Sequence, residues 1–293
     1  MKKILIPTDF SPAAYNAAKY AIHIAQKIKA GIKFCNAIKV PADYVMAGQV
    51  VWPLEDYSTL KNDAEAELDY LTSTLSKEQV AASEDGGFYP KIEHSSDAGE
   101  VVTYVKELVA ADKANFVIMG MSGAGDFNRL FFGSNSREMI SKADFPILLI
   151  PAHATFKGIN KIAFATDLSE GDLEILQSLA GLAQVFNAEI LITHVNTEIE
   201  DVAAQQHRVD SFLRDVTCKI NYPRIYYRGV QNNQINEGLA WLTEHGQVDM
   251  LAMVHRQQPF LTRLLNGSHT QHLAKAVDVP LLVLPEGFKG VLA

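Results

Sequence analysis

The sequence predicts an α/β protein made of two tandem, open, twisted, five-stranded parallel-sheet domains. The first observation is an internal repeat: KILIPTDFS at Lys3–Ser11 returns as KIAFATDLS at Lys161–Ser169, 158 positions later. The second is that short apolar segments alternate with helical patterns in both copies. Such alternation is typical of a parallel sheet covered by helices on both faces.

The ends of the two copies repeat with a different offset. PILLIP at 146–151 returns as PLLVLP at 280–285, only 134 positions later. The second copy is therefore shorter, and the extra length of the first lies at about 38–62. For that stretch a surface loop and a lid or subunit contact remain open. We predict domains at residues 1–151 and 159–286, joined by a short polar linker.

Each copy opens with a strand, a Thr-Asp pair and a helix. In the first copy Ser11 is the expected N-cap and Pro12 the first helical residue. In the second, Ser169–Asp172 has the form of a capping box. A second strand, a third strand, an amphipathic helix, a fourth strand, a glycine-bearing loop, a helix and a fifth strand follow. The predicted strands are Ile4–Ile6, Ile32–Ala37, Lys91–His94, Phe116–Met119 and Ile147–Ile150, repeated at Ile162–Ala165, Ile190–Val195, Arg224–Tyr227, Met250–Met253 and Leu281–Leu284.

The composition excludes several classes of protein. With 48% hydrophobic and 20% charged residues, the chain has the composition of a globular protein without a transmembrane segment. Its net charge of −8 argues against a nucleic-acid partner, and the absence of an apolar run of about 18 residues argues against a membrane. The strand-like start favours a cytoplasmic location over secretion. Cys35 and Cys218 are expected to pack and not to react.

The strongest functional signal follows the fourth strand of the first copy. Gly120 and Gly123 are followed, after nine intervening residues, by Gly133 and Ser134. Glycines let backbone approach a ligand closely, and a helix beginning near Ser134 would offer amides and a positive dipole end to a phosphate. The loop also holds Ser122, Asp126 and Arg129.

These residues resemble the G-x2-G-x9-G-[ST] signature of the universal stress protein family, in its tandem two-domain form. The resemblance covers essentially the whole chain and implies a fold of the adenine nucleotide alpha hydrolase type. It implies that ATP, with Mg²⁺, is the ligand of the first copy. The implied contacts are Pro7, Thr8, Asp9, Ala37, Met119, Gly120, Gly123, Gly133, Ser134 and Asn135. Asn36 departs from the family's commoner histidine.

The resemblance also implies how the copies meet. The matching closing strand pairs across a dimer in single-domain relatives. The two closing strands are therefore expected to pair within this chain as an intramolecular pseudo-dimer. A higher homo-oligomer and an unknown protein partner remain open.

The second copy breaks the signature. Val254 and Gln257 stand where the first copy has Gly120 and Gly123, so we expect a degenerate site there. For Arg256, solvated surface and anion binding remain open. His269 and His272 are weak evidence for a metal.

Three functions follow as hypotheses. The first is a nucleotide-dependent regulatory or sensor protein, with no catalytic or metal residues assigned. The alternatives are a slow ATPase and a stress scaffold that binds no nucleotide. For Asp9 a purely structural role in capping the first helix remains open.

Overall fold

In a computed structural model, the described residues are 2–39, 54–82, 87–121, 134–196, 202–256 and 279–293. The elements of the first half are β1 (Lys3–Pro7), α1 (Pro12–Ile28), β2 (Gly31–Ile38), α2 (Leu54–Ala82), β3 (Ile92–Ala98), α3 (Val101–Asp112), β4 (Phe116–Met121), α4 (Ser134–Lys142) and β5 (Ile147–Pro151). Those of the second are β6 (Lys161–Ala165), α5 (Asp172–Phe186), β7 (Glu189–Asn196), α6 (Val202–Lys219), β8 (Ile225–Gln231), α7 (Ile235–His245), β9 (Met250–His255) and β10 (Leu281–Pro285).

The ten strands form one sheet in the order β3-β2-β1-β4-β5-β10-β9-β6-β7-β8. Pairing within each half is parallel, as predicted. At the centre β5 and β10 pair antiparallel, with Leu148 opposite Leu282. The expected pairing of the closing strands is therefore confirmed, and it gives the two halves pseudo-twofold symmetry.

The alternation of side chains along each strand produces a core on each face of the sheet. Ile4, Ile6 and Phe34 point to the face that packs with residues of α1, α2, α5 and α6. Leu5 and Cys35 point to the opposite face, with residues of α3, α4 and α7. Both cores include strand residues from the two halves, so apolar packing is continuous across the central pair.

The segment between the halves is better packed than a polar linker. The Asn16 amide of α1 donates to the carbonyl oxygens of Pro151 and Ala154 at 3.0 and 2.9 Å. The Phe156 ring stacks on His23 at 4.9 Å between centroids and meets Phe186 of α5 at 6.5 Å. This connection therefore ties the helices of the two halves together.

Two helices were not among the predicted elements. Part of the extra length of the first copy is the start of α2, a helix of 29 residues. Its buried side chains Leu68, Leu71 and Leu75 pack on the core. The second half carries α6 at the corresponding place. Residues 40–53 lie outside the described residues, so the hypotheses of a loop, a lid and a subunit contact are unchanged there.

Candidate functional site

A cavity of about 500 Å³ lies at the carboxyl ends of β1, β2 and β4 in the first half. The strand order places β1 between β2 and β4, where the winding of the sheet reverses, and ligands of open α/β sheets bind at such points. The cavity is lined by Pro7, Thr8, Asp9, Ser11, Ala13, Ala14, Cys35, Asn36, Ala37, Lys39, Val101, Tyr104, Val105, Met119, Gly120, Ser134, Asn135 and Ser136.

Eight of the ten predicted site residues meet at this cavity. They are Pro7, Thr8, Asp9, Ala37, Met119, Gly120, Ser134 and Asn135. The other two, Gly123 and Gly133, lie outside the described residues, as do Ser122, Asp126 and Arg129. The helix predicted to begin near Ser134 begins at that residue.

The Thr-Asp turn after β1 has a structural role that both halves share. The Phe10 amide donates to Thr8 Oγ1 at 3.0 Å, and the Ser11 amide donates to Asp9 Oδ1 at 3.1 Å. Phe10 takes a left-handed φ of 60° within this turn. Ser11 then caps α1 by accepting from the Ala14 amide at 3.2 Å, as predicted.

The second half repeats this turn with the same bonds. The Leu168 amide donates to Thr166 Oγ1 at 2.8 Å, and the Ser169 amide donates to Asp167 Oδ1 at 3.1 Å. The persistence of Thr-Asp in both copies is therefore explained by local turn chemistry. In the first half the exposed Asp9 also lines the cavity.

The side chain at the end of the second strand holds this turn in place. The Asn36 amide donates to the Thr8 carbonyl oxygen at 2.8 Å. In the second half His194 Nδ1 lies 2.9 Å from the Thr166 carbonyl oxygen, and it must donate because a carbonyl only accepts. Asparagine and histidine therefore make the same bond, which explains the departure at Asn36.

Ala37, the residue after Asn36, presents its main chain to the cavity. The Gly31 amide donates to the Lys2 carbonyl, and the Cys35 carbonyl accepts from the Thr8 amide. Because main-chain groups alternate in direction along a strand, those of Ala37 face the same side. β1 ends at Pro7 and therefore has no residue opposite Ala37 to pair with. The Ala37 amide and carbonyl are consequently directed at the cavity.

Gly120 is needed for the packing of α1 on β4. A Cβ at Gly120 would lie 2.5 Å from the Ala13 carbonyl oxygen and 2.9 Å from the Ala14 nitrogen. The first obstacle to a side chain at Gly120 is therefore the backbone of α1. This glycine sets how closely the helix N-terminus approaches the strand end.

The second half has Val254 at the position of Gly120, and its first helix starts later than the repeat predicts. The repeat places Glu170 opposite Pro12, yet α5 begins only at Asp172. Gly171 is its N-cap and no side chain caps the helix, so the predicted capping box at Ser169–Asp172 is wrong. A hydrogen-bonded turn precedes the helix, with the Asp172 amide donating to the Ser169 carbonyl at 3.0 Å, and Arg256 Nη2 contacts the side chains of both residues.

Sequence reasoning missed several residues that line the first cavity. One of them is Lys39, which together with the predicted Asp9 makes up the charged residues of the described lining. Tyr104 of α3 donates to Ser95 Oγ at 3.0 Å, and burial raises the pKa of its hydroxyl. Ser136 is buried in the first turn of α4. The position of Lys39 directly after the second strand was the available signal.

The second half has a cavity of about 260 Å³ at the corresponding strand ends. Arg256 at its edge is held by carboxylates and is not solvated surface. Its Nη1 lies 2.7 Å from Asp167 and its Nε lies 3.5 Å from Glu286, while Nη2 contacts Asp172 and Ser169. Burial raises the pKa of Asp172, although Thr166 and Arg256 favour its charged form. His269 and His272 lie outside the described residues.

Two features are absent from the described part of the chain. Within these residues there is no group of three or more His, Cys, Asp or Glu side chains arranged to bind a metal ion. None of the helices found in the same residues combines the length and apolarity required to cross a membrane.

Solved structures share the fold over nearly the full length. A universal stress protein from Archaeoglobus fulgidus superposes with a TM-score of 0.69 at 18% identity, covering 98% of each chain. A universal stress protein from Pseudomonas aeruginosa gives 0.63 at 12% identity, covering 98% of this chain and 94% of that one. The cytoplasmic domain of a prokaryotic cation chloride cotransporter gives 0.55 at 12% identity, covering 99% and 98%. At these identities the likeness supports the fold alone.

Sequence relatives and a family model point to one family. A universal stress protein of Methanocaldococcus jannaschii is 28% identical over 149 residues, which are 51% of this chain and 81% of that protein. One of Synechocystis is 22% identical over 303 aligned positions, covering 96% and 99%. The model of the universal stress protein family matches residues 1–151, just over half of the chain. The chain belongs to the universal stress protein family.

Proposed function

We propose that the first half binds ATP, with Mg²⁺, and that the protein is a cytoplasmic, nucleotide-dependent regulator. The observation that carries this proposal is the convergence of eight predicted residues on one cavity at the switch point of the sheet. Its volume of about 500 Å³ lies within the range of roughly 300–1,000 Å³ for small-molecule sites.

The cavity offers groups suited to each part of a nucleotide. The Ala37 amide and carbonyl can pair with the donor and acceptor edge of a base. Val101, Val105 and Met119 supply apolar surface beside them. The N-terminus of α4, a helix of nine residues, provides main-chain amides at Ser134 and Asn135 for phosphates. Lys39 adds a positive charge at the rim.

The residues present also fit a magnesium ion. Mg²⁺ keeps several waters and is commonly held by one or two carboxylates together with substrate phosphates. Asp9 is the described carboxylate at the cavity, and its Oδ1 already accepts from the Ser11 amide. When bound, the ion would neutralise phosphate charge beside this carboxylate. The slow-ATPase and scaffold alternatives have no additional observation in their favour.

The proposal is tested by identifying and then perturbing the ligand. Mass spectrometry of nucleotide released from denatured, purified protein should detect ATP. Replacing Lys39 by Ala should weaken ATP binding roughly tenfold at low salt and less at high salt, because salt screens exposed charges. Lys27→Ala, an exposed lysine in the last turn of α1, is the matched control and should leave affinity unchanged. Unchanged affinity in both variants would remove Lys39 from the site, and failure of ATP to bind the wild type would refute the proposal.

A further inference from the structure

The second cavity resembles the first at the end of its second strand, β7, and differs from it around Arg256. His194 holds the Thr166 carbonyl as Asn36 holds that of Thr8. The main chain of Val195 corresponds to that of Ala37. The Glu189 amide donates to Asn160 and the Thr166 amide donates to Thr193, so odd-numbered residues of β7 face β6. Because β6 ends at Ala165, the Val195 amide and carbonyl are directed into the cavity.

The lining around the Val195 main chain combines apolar side chains with several polar ones. The cavity is lined by Ala165, Thr166, Asp167, Thr193, His194, Val195, Ile235, Leu239, Met253, Val254 and Arg256. Gly238 of α7 occupies the place that Tyr104 holds in α3. A Cβ there would lie 2.8 Å from Val195, so the glycine allows α7 to approach β7 closely. Apolar side chains such as Leu239 and Met253, beside a main-chain donor and acceptor, suit the faces and the polar edge of a flat heterocycle.

The surroundings of Arg256 disfavour the binding of a negatively charged group. Each of the three guanidinium nitrogens of Arg256 faces a carboxylate, on Asp167, Asp172 and Glu286. The charges of Asp167 and Glu286 alone exceed the single positive charge of Arg256. A phosphate placed here would meet a net negative cluster and would have to displace existing ion pairs. The volume of about 260 Å³ is also roughly half that of the first cavity.

From these contacts we propose that the second cavity is a binding site for an uncharged, flat heterocycle with adjacent hydrogen-bond donor and acceptor groups, such as a nucleobase or nucleoside. It discriminates against phosphorylated forms. The proposal does not depend on ATP binding in the first half, because all the residues that line the second cavity belong to the second half.

The experiment compares adenosine with AMP, which differ by the phosphate alone. Both are titrated calorimetrically into the full chain carrying Val101→Trp, a substitution that fills the first cavity. We expect adenosine to bind at one site, at least about tenfold more tightly than AMP. Adding Ile235→Trp should abolish that binding, because Ile235 lines the second cavity and a larger ring at this position takes up part of its volume. Melting curves verify that both variants fold.

Two further substitutions test whether the carboxylates beside Arg256 cause the discrimination against phosphate. Asp167→Asn together with Glu286→Gln removes two carboxylates beside Arg256, so the preference for adenosine over AMP should shrink several-fold. Equal affinity for AMP and adenosine in the Val101→Trp chain would overturn the exclusion of phosphate. An unchanged preference in the double variant would overturn its electrostatic cause.

Photolabelling locates the ligand without a substitution. Cross-linking with azidoadenosine and peptide mapping should place label in residues 191–196 or 235–239. Label confined to the first half, or no adenosine binding in the Val101→Trp chain, would overturn the proposal.

Discussion

Replacing Gly120 by Ala tests how the first cavity is built. The added methyl would lie 2.5 Å from the Ala13 oxygen and 2.6 Å from its carbonyl carbon. Because the obstacle is helix backbone and not the end of a flexible side chain, the first turn of α1 must shift. Overpacking of this kind costs about 1–3 kcal/mol. In a chain of this size each kcal/mol lowers Tm by roughly 2–4 °C.

Gly181→Ala is the matched control for the same chemical change. Gly181 lies within α5, and a Cβ there would meet nothing within 4 Å. Alanine in a helix interior is favoured over glycine by about 0.5–1 kcal/mol, so this variant should be more stable than wild type. Urea denaturation and thermal melting measure both effects. If Gly120→Ala were as stable as wild type, the close approach of α1 to β4 would not constrain this position.

Three further predictions follow from the sequence and the fold. Gly123→Val should weaken ATP binding at least about tenfold, or about 1.4 kcal/mol, with little change in melting; unchanged affinity would show that the loop does not cradle phosphates. Residues 1–151 expressed alone should form dimers or aggregates, because β5 loses β10 and exposes its edge; light scattering showing a stable monomer would contradict this. Burial raises the pKa of Asp112, but hydrogen bonds from Lys33 at 2.7 Å and Lys3 at 3.0 Å outweigh it and lower the pKa below 3.8. This contribution is present above the unfolded pKa and lost as pH falls through the lower folded pKa, so Asp112→Asn should destabilise the fold at pH 7 and not in strong acid; a pH-independent cost would refute it.

The repeat made most of the fold predictable from sequence. The segment at Lys3–Ser11 recurs at Lys161–Ser169, so both copies are expected to have the same order of strands and helices. The closing strands are apolar and flanked by prolines, and an unpaired strand edge invites another strand; the resemblance to single-domain relatives then indicated the β5–β10 pairing. Boundaries were less certain: β3 and β8 each continue past the predicted end, and their later residues are largely polar.

The parts that could not be predicted depend on contacts distant in sequence. The environment of Arg256 joins Asp167, Asp172 and Glu286, whose spacing has no local pattern. α5 begins at Asp172 without a side-chain cap, although the local sequence at Ser169–Asp172 has the form of a capping box. The structural need for Gly120 arises from Ala13, more than 100 positions earlier. Local sequence rules omit such pairs because they consider only near neighbours.

Calorimetric titration of ATP and Mg²⁺ into the full chain tests the central claim most directly. The account predicts one ATP per chain, and predicts that Val101→Trp in the first cavity abolishes binding while Ile235→Trp in the second leaves it unchanged. Two equivalent ATP sites, or a single site lost only with Ile235→Trp, would contradict it.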